Sequence, residues 1–306
     1  MAEQPLPEKE QAKIMSNMKV RFLTDSACDL PECSAQEYGI KVLPIPITVD
    51  GRGYLERVDF SNTEFYELLK NSSTIPTTAH ITQVTYLEEY EKAAAQGFGA
   101  VIVTTISSTG SAMKDAATLA RQLYYEDHPD TALEIYVVDS LNYTMSYGYP
   151  QIEAVKMVRA GASAKEAAAY LEDFFTRVEI LFTPYTLEYA KKSGRIGVAA
   201  AFVGEMLGLR PVISIIDGKM HIDDKVRGDK AVITRTTELV KARKAEPKSP
   251  YLVVRGSRGG VGDECAEALT KALGYPPAGI YYIGACIAIN SGPEVVGVVF
   301  TGKKRR

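Results

Sequence analysis

Residues 100–111 read AVIVTTISSTGS, and this stretch decides the fold class. Its first part, Ala100 to Ile106, is apolar or β-branched throughout, which is typical of a strand buried on both faces. Its second part, Ser107 to Ser111, is rich in hydroxyl groups and leads into a segment of Ala, Met and Leu residues that predicts a helix. This order predicts one unit of a mostly parallel sheet, with ligands at the carboxyl ends of the strands.

The same order of elements occurs on both sides of this unit. Val20 to Leu23 predict a short strand that ends at Thr24-Asp25-Ser26, and Ile135 to Val138 predict another that ends at Asp139-Ser140. We therefore expect the first half of the chain to form an α/β domain, with a mostly parallel Rossmann-like sheet flanked by helices.

Local signals predict further elements, one of them beyond Pro150. The run Val42 to Val49 is β-branched, and its two prolines place the predicted strand at a sheet edge. Ser61 and Glu64 form a capping box, and Ser163 and Glu166 form another, so both pairs predict the start of a helix.

Beyond Tyr149-Pro150 the pattern changes. Val212 to Ile216, then Asp217-Gly218, then Met220 to Ile222 predict a β-hairpin, which a purely parallel sheet would not contain. Helical patterns at 187–192, 199–207, 230–244 and 264–273 alternate with predicted strands at 180–182, 251–254 and 295–300. We expect three segments: a disordered leader at 1–18, an N-terminal α/β domain at 19–150 and a C-terminal α+β domain at 151–306.

Composition limits the classes of function. The 306 residues include 35 Lys and Arg against 38 Asp and Glu, for a formal net charge of -3, which disfavours a nucleic-acid binder. The only basic cluster, residues 303–306, is interpreted as a solvated end. The N-terminus carries charges where a secretion signal needs an apolar core, and no apolar run reaches the length of about eighteen residues that a membrane helix needs. We expect a cytoplasmic protein without stable membrane insertion.

Metal chemistry and acid–base catalysis lack sequence support. The four cysteines, at 28, 33, 265 and 286, include no pair at metal-site spacing. The three histidines, His80, His128 and His221, fall in no zinc-protease or hydrolase motif. The sequence therefore predicts no metal, no cofactor and no catalytic residue.

The hydroxyl-rich loop is the better candidate site. Ser107, Ser108, Thr109 and Ser111 lie beside the free N–H groups of a helix start, an arrangement that stabilises an anion. Simple capping of the helix explains the same residues equally well. Thr77 and Thr78 form a second hydroxyl pair, while Arg195 and Arg227 lie in turns flanked by glycine, where either could be an ordinary surface cation.

Two other classes of function remain open. The loop Gly256 to Gly262 follows a strand and precedes a helix, although it matches neither dinucleotide nor Walker A patterns. An enzyme acting on a small phosphorylated or carboxylated metabolite could use this loop as a phosphate cradle. The chain could also be an interaction module whose pocket is filled by its own side chains.

A set of motifs in fixed order resembles the DegV family of bacterial fatty-acid-binding proteins. The resemblance runs from Lys19 to about Phe300 and rests on TDSACDLP at 24–31, SSTGS at 107–111, GRI at 194–196, RP at 210–211, DG at 217–218, VRG at 226–228 and SGP at 291–293 with GVVF at 297–300. It implies a two-domain α/β protein that holds one long-chain fatty acid between its domains.

The resemblance also implies roles for single residues. The carboxyl group of the ligand would be held by Thr78 and Ser111, with Thr77, His80, Ser107 and Ser108 as possible supporting residues. The resemblance further implies a partner fatty acid kinase that makes the acyl phosphate, while the binding protein is not itself catalytic.

The chain departs from the family pattern around the expected head-group site. It reads TTAHIT at 77–82 where the family often reads TTSQPS, and SAM at 111–113 where the family reads SGT. Asn290 stands in place of the histidine of the family's HTGPG segment. Our hypothesis is that Asn290 donates to the ligand oxygen instead, that His80 partly restores the positive charge, and that Arg195 and Arg227 form a cationic rim for an acidic partner.

Overall fold

The computed structural model describes residues 19–197 and 208–305. The predicted leader at 1–18 and the predicted helix at 199–207 lie outside the described residues. In the described part of the chain, no helix combines the length and the apolar composition needed to cross a bilayer.

The first sheet has four parallel strands. Their order is β2 (Ile40–Leu43), β1 (Val20–Asp25), β6 (Ala100–Thr105) and β7 (Glu134–Asp139). All six residues of β6 are buried, as the continuous apolar run predicts for a central strand. The expected parallel sheet is confirmed, and the loops after β1, β6 and β7 leave it at the same edge.

Helices flank this four-strand sheet. They are α1 (Glu32–Tyr38), α2 (Asn62–Asn71), α3 (Gln83–Ala95), α4 (Met113–Asp127), α5 (Met145–Arg159) and α6 (Ala164–Phe175). Both predicted capping boxes are present, Ser61 with Glu64 at α2 and Ser163 with Glu166 at α6. In each, the serine hydroxyl accepts the N–H of the glutamate while the carboxylate accepts the N–H of the serine, which fixes where the helix begins.

The predicted edge strand over 42–49 is divided between two sheets. The chain leaves the four-strand sheet after Leu43 and enters a small antiparallel sheet of order β4 (Arg52–Leu55), β3 (Pro46–Val49) and β5 (Thr77–Thr78). Pro44 has no N–H to continue a ladder, which accounts for the break. The hydroxyl pair at 77–78 is therefore a short strand rather than part of a loop.

The second large sheet has six strands. Their order is β10 (Lys219–Arg227), β9 (Leu209–Ile216), β8 (Val178–Pro184), β13 (Val295–Thr301), β11 (Tyr251–Arg255) and β12 (Gly279–Tyr282). The predicted hairpin is confirmed as β9 and β10. The accompanying helices are α7 (Glu188–Ser193), α8 (Asp229–Arg243), α9 (Val261–Leu273) and α10 (Ala285–Ser291). The sequence patterns did not predict β12 or α10.

Side chains on both faces of the six-strand sheet are buried, each face in a different core. Along β11, Leu252 and Val254 belong to the core shared with the four-strand sheet, whereas Val253 packs with residues of α8 and α9. Alternation of this kind follows from the two-residue period of a strand. One core therefore runs continuously from the four-strand sheet to one face of the six-strand sheet.

Tyr149 and Pro150, where the sequence pattern changes, lie inside α5. This helix packs against β1 and also contacts β8 and β13, while α6 packs against β6 and β7. Because both helices cover strands of the first sheet, we propose that the boundary between the domains lies between Phe175 and Val178, rather than at 150.

Ion pairs hold two basic residues near the end of the described chain. Lys304 pairs with Asp173 at 2.5 Å. Arg305 reaches Asp217, in the turn between β9 and β10, at 3.2 Å and Glu179 of β8 at 3.4 Å. The interpretation of 303–306 as a solvated end is thus wrong for Arg305, whose side chain is largely buried against acidic partners from distant parts of the chain, whereas Lys303 and Lys304 remain exposed.

Candidate ligand-binding site

A cavity of about 550 Å³ lies between the carboxyl edge of the four-strand sheet and one face of the six-strand sheet. Ile45, Ile106 and Thr144 line it from loops after β2, β6 and β7. This is the edge at which parallel α/β sheets bind their ligands. Its volume falls within the range of about 300–1,000 Å³ that is usual for small-molecule pockets.

The wall formed by the six-strand sheet is aliphatic and aromatic. Ile180 and Phe182 lie two residues apart on β8 and thus on the same face, and Ile180 pairs with Ile215 of β9. Val254 of β11 and Val295 of β13 continue this wall. It can pack against an apolar chain but offers no side-chain hydrogen bond.

Three predicted site residues line this cavity from three separate elements: Thr78, Ser111 and Asn290. Thr78 is held opposite Ile47 in the small sheet, Ser111 lies just before α4, and Asn290 lies in α10. The three are far apart in sequence, and only the fold brings them to one cavity.

Ser111 also helps to start α4. Its hydroxyl oxygen accepts the N–H of Met113 at 3.3 Å, while its own N–H donates to the carbonyl oxygen of Ser107 at 3.1 Å. The capping interpretation and the binding interpretation therefore describe the same side chain, whose hydroxyl proton stays available to a ligand.

Three of the other predicted hydroxyl residues, Ser107, Ser108 and Thr77, do not line the cavity. Ser107 is fully buried, and its oxygen lies 2.7 Å from that of Thr109, so that it shapes the loop. The Ser108 N–H donates to Asp139 at 3.1 Å, and the exposed Thr77 precedes Thr78 in β5. Alternation along β5 explains why only one of the two threonines faces the cavity.

Asn290 is oriented by its own helix. Its Nδ2 donates to the carbonyl oxygen of Cys286 at 2.8 Å, and its backbone oxygen accepts from the Ser193 hydroxyl at 3.2 Å. One N–H of the amide and its oxygen remain for a ligand. Burial raises the pKa of Cys286 well above the ordinary range, so this thiol stays protonated.

Two basic side chains lie at the rim of the cavity. His80 and Arg195 line the cavity and are exposed, and Arg195 Nη1 donates to the Ser193 carbonyl oxygen at 2.8 Å. Arg227, exposed at the end of β10, does not line it. Among the cavity-lining residues that the structure describes, none is Asp or Glu. The rim is therefore suited to an anion.

Thr109 and Tyr143 also line the cavity, and no pattern in the sequence points to Tyr143. Tyr143 rests against the loop at Gly110, where an added Cβ would lie 2.5 Å from the phenol oxygen. Thr109 Oγ1 donates to the carbonyl oxygen of Gly218 at 2.8 Å. The loop is thereby closed on both sides by residues distant in sequence.

The glycine-rich loop at 256–262 packs against the protein itself. A Cβ on Gly256 would lie 1.8 Å from the Pro293 carbonyl oxygen, and one on Gly262 would lie 2.7 Å from the Arg255 side chain. Its cation, Arg258, pairs with Asp229 at 2.5 Å. These glycines allow close internal packing, and the loop does not line the cavity.

Metal-binding geometry is likewise not found in the part of the chain that the structure describes. No cluster of three or more His, Cys, Asp or Glu side chains there could hold a metal ion.

Comparison with known proteins identifies the family. Residues 19–303 match the family described as "Uncharacterised protein, DegV family". A DegV domain-containing protein of Clostridium perfringens is 29% identical over 286 residues, covering 92% of this chain and 99% of the relative. A Thermus thermophilus structure, described as a DegV family protein with fatty acid binding, has a TM-score of 0.81 at 25% identity, over 94% of this chain and 100% of that one. A stearic acid-binding protein from Eubacterium ventriosum has a TM-score of 0.80 at 25% identity, over 94% and 99% of the two chains. The chain belongs to the DegV family.

Proposed function

We propose that this protein binds one long-chain fatty acid in the cavity and presents its carboxyl group to a partner fatty acid kinase, without being a catalyst itself. The observation that carries the proposal is the division of the cavity into an apolar wall and a group of uncharged hydroxyl and amide donors. The fatty acid binding described for the Thermus and Eubacterium relatives supports the same ligand class.

The apolar wall supplies most of the affinity. Burying roughly fifteen methylene groups at about 0.8 kcal/mol each yields on the order of 12 kcal/mol before the costs of association. Ile180, Phe182 and Ile215 offer the contact surface for such a chain.

The polar group supplies orientation. A carboxylate removed from water without partners costs several kcal/mol, so donors must meet it. Such donors are the hydroxyls of Thr78 and Ser111 and the free N–H of Asn290. His80 lines the same cavity, and we propose that it partly restores the positive charge of the replaced histidine. The absence of Asp and Glu from the described lining avoids repulsion of the head group.

The exposed rim of the cavity supports the proposed transfer role. An acyl chain buried to its end leaves the carboxyl group as the part that a second protein can reach. Arg195 is exposed beside it and is suited to an acidic partner or a transferring phosphoryl group. The four cysteines are free thiols, which fits the reducing cytoplasm in which we place this activity.

Organic extraction of the purified protein followed by mass spectrometry tests the ligand. We expect one fatty acid per chain. Protein without lipid that is neither filled nor stabilised by added fatty acid would overturn the proposal, and thermal stabilisation by a nucleotide would instead favour the small-metabolite enzyme. Transfer is tested separately, by asking whether a fatty acid kinase phosphorylates the acid when this protein carries it.

A further inference from the structure

Helix α10, which carries Asn290, is held at its start by two carboxylates from the other end of the chain. Asp29 Oδ1 accepts the N–H of Gly284 at 2.8 Å across 255 positions of sequence. Glu56 Oε1 accepts the N–H of Cys286 at 3.0 Å across 230 positions. No side chain of the helix region itself caps these groups. The first N–H groups of α10 are thus satisfied by loops of the four-strand and three-strand sheets.

Both carboxylates are buried and held in place. Glu56 is 0% exposed and Asp29 is 3% exposed. Ser26 donates to Glu56 Oε2 at 2.5 Å, and the same Ser26 oxygen accepts the N–H of Ile45 at 3.0 Å. Burying carboxyl groups is costly, so their placement in this hydrogen-bonded cluster points to a specific role for the geometry they impose.

The backbone around them is unusual as well. Asp29 has φ +54°, and Arg57, directly after Glu56, has φ +67°. Left-handed conformations are unfavourable for residues with a Cβ and persist where the surroundings impose them. Asp29 itself and the residue that follows Glu56 thus adopt backbone conformations that the surrounding structure imposes.

The two carboxyl groups pack tightly against the backbone at the start of α10. A Cβ on Gly284 would lie 2.7 Å from Glu56 Oε1 and 2.8 Å from Asp29 Oδ1. Next to it, the Tyr66 hydroxyl donates to the carbonyl oxygen of Ile283 at 2.8 Å. The start of α10 is therefore located by three hydrogen bonds from the first part of the chain.

We propose that Asp29 and Glu56 are positioning residues for recognition of the ligand carboxylate, because they set where α10 places Asn290 relative to Thr78 and Ser111. The inference rests on the proposed function, since it concerns the same carboxylate. Thr78 and Ser111 belong to the first part of the chain and Asn290 to the second, so these two hydrogen bonds link the halves of the head-group site.

The test compares two probes that share a tail but differ in head group. The dissociation constants of hexadecanoic acid and hexadecan-1-ol are measured by competition against a fluorescent fatty acid. We expect Glu56→Ala and Asp29→Ala to reduce the preference for the acid over the alcohol by about tenfold. Glu56→Gln keeps an oxygen acceptor for the Cys286 N–H, so it should restore most of the preference.

Asp25 offers a matched control. It is buried at 1% exposure in the same region, but its carboxylate accepts from Ala27, Ile106 and Tyr147 and from no residue of α10. Asp25→Asn should lower stability and leave the acid-to-alcohol preference unchanged. A general loss of stability would weaken both probes equally in every variant.

Gly284→Ala covers the case in which the alanine variants of the acids do not fold. It changes α10 by one methyl group that displaces both carboxylates, and it should also lower the preference for the acid. Folded variants that keep the wild-type preference overturn the positioning role. Wild-type protein that binds neither probe would instead contradict the proposed function.

Discussion

Thr109 Oγ1 donates to the carbonyl oxygen of Gly218 at 2.8 Å, which joins the loop after β6 to the turn between β9 and β10. The two residues are 109 positions apart and come from different sheets. Arg305 pairs with Asp217 in the same turn at 3.2 Å. The turn is thus bonded on both sides, and its contact with Thr109 holds a residue that lines the cavity.

Gly218→Ala should destabilise the protein and disturb this contact. Gly218 has φ +75°, and a Cβ would lie 2.7 Å from the Thr109 methyl group. We expect a loss of about 1–2 kcal/mol in the free energy of unfolding. Because the contact with Thr109 is also pushed apart, a bound fluorescent fatty acid should dissociate several-fold faster in stopped-flow measurements.

Gly228→Ala is the control, because it introduces backbone strain without a steric contact. Gly228 has φ +83°, but a Cβ there would meet nothing within 4 Å. It should show a comparable loss of stability with an unchanged dissociation rate. Equal acceleration in both variants would mean that the Thr109 contact does not control release.

Removing single hydroxyls tests the head-group site directly. Thr78→Val and Ser111→Ala each delete a donor that lines the cavity while nearly preserving shape. Since hydrogen bonds to charged groups contribute about 1.5–3 kcal/mol, we expect affinity for hexadecanoic acid to fall by about 10- to 100-fold. Ser108→Ala, at an exposed position off the cavity, is the control. Binding unchanged in both Thr78 and Ser111 variants would remove these residues from the site.

His80 should add to the affinity for the acid. It lines the cavity as an exposed side chain, and its ring can donate an N–H to a ligand oxygen. We expect His80→Ala to weaken binding of a fluorescent fatty acid by a few-fold because a donor to the carboxylate is lost, and His221→Ala, at a position that does not line the cavity, to bind as wild type does. Equal affinity in all three proteins would show that His80 does not compensate for the histidine replaced by Asn290.

The two arginines of the predicted rim should behave differently. Arg195 lines the cavity, whereas Arg227 does not. We expect Arg195→Gln to weaken fatty acid binding by a few-fold because a cation near the carboxylate is lost, and Arg227→Gln to have no effect. Calorimetric titration of both variants with the same acid checks this. An equal loss in both would point to a wider cationic surface than the cavity shows.

The parallel sheet and its loops could be predicted because their signals are local. The apolar run at 100–106 and the hydroxyls at 107–111 give the strand and the loop directly, and both capping boxes mark helix starts within four residues. Thr78, by contrast, was assigned to the head-group site only through the family resemblance. Its position beside the cavity depends on pairing with Ile47, which no local pattern shows.

Helix α10 could not be predicted because the contacts that define its start are not local. It begins after Gly284 without a capping side chain nearby, and its caps, Asp29 and Glu56, lie more than two hundred positions away. No local pattern shows that Glu56 is buried, and the TDSACDLP motif contains Asp29 without indicating that it caps a distant helix. The same holds for Arg305, whose partners become apparent only when β8 and the hairpin turn are in place.

The buried acids predict how stability changes with pH. Burial raises the pKa of Asp25 to about 6 and that of Asp29 to about 8. Because both values in the folded state exceed the ordinary value, the folded state favours the protonated form. Their contribution to the free energy of unfolding is thus complete below about pH 4 and is lost as pH rises through 6 and 8.

Asp29→Asn removes one of these groups but keeps an oxygen acceptor for Gly284. We expect its loss of stability between pH 5 and pH 8.5 to be smaller than that of wild type by on the order of 4 kcal/mol. Urea denaturation at the two pH values measures the difference, with the exposed Asp130→Asn as a control that should follow wild type. Parallel pH profiles for Asp29→Asn and wild type would show that Asp29 titrates in the folded protein as it does in the unfolded chain.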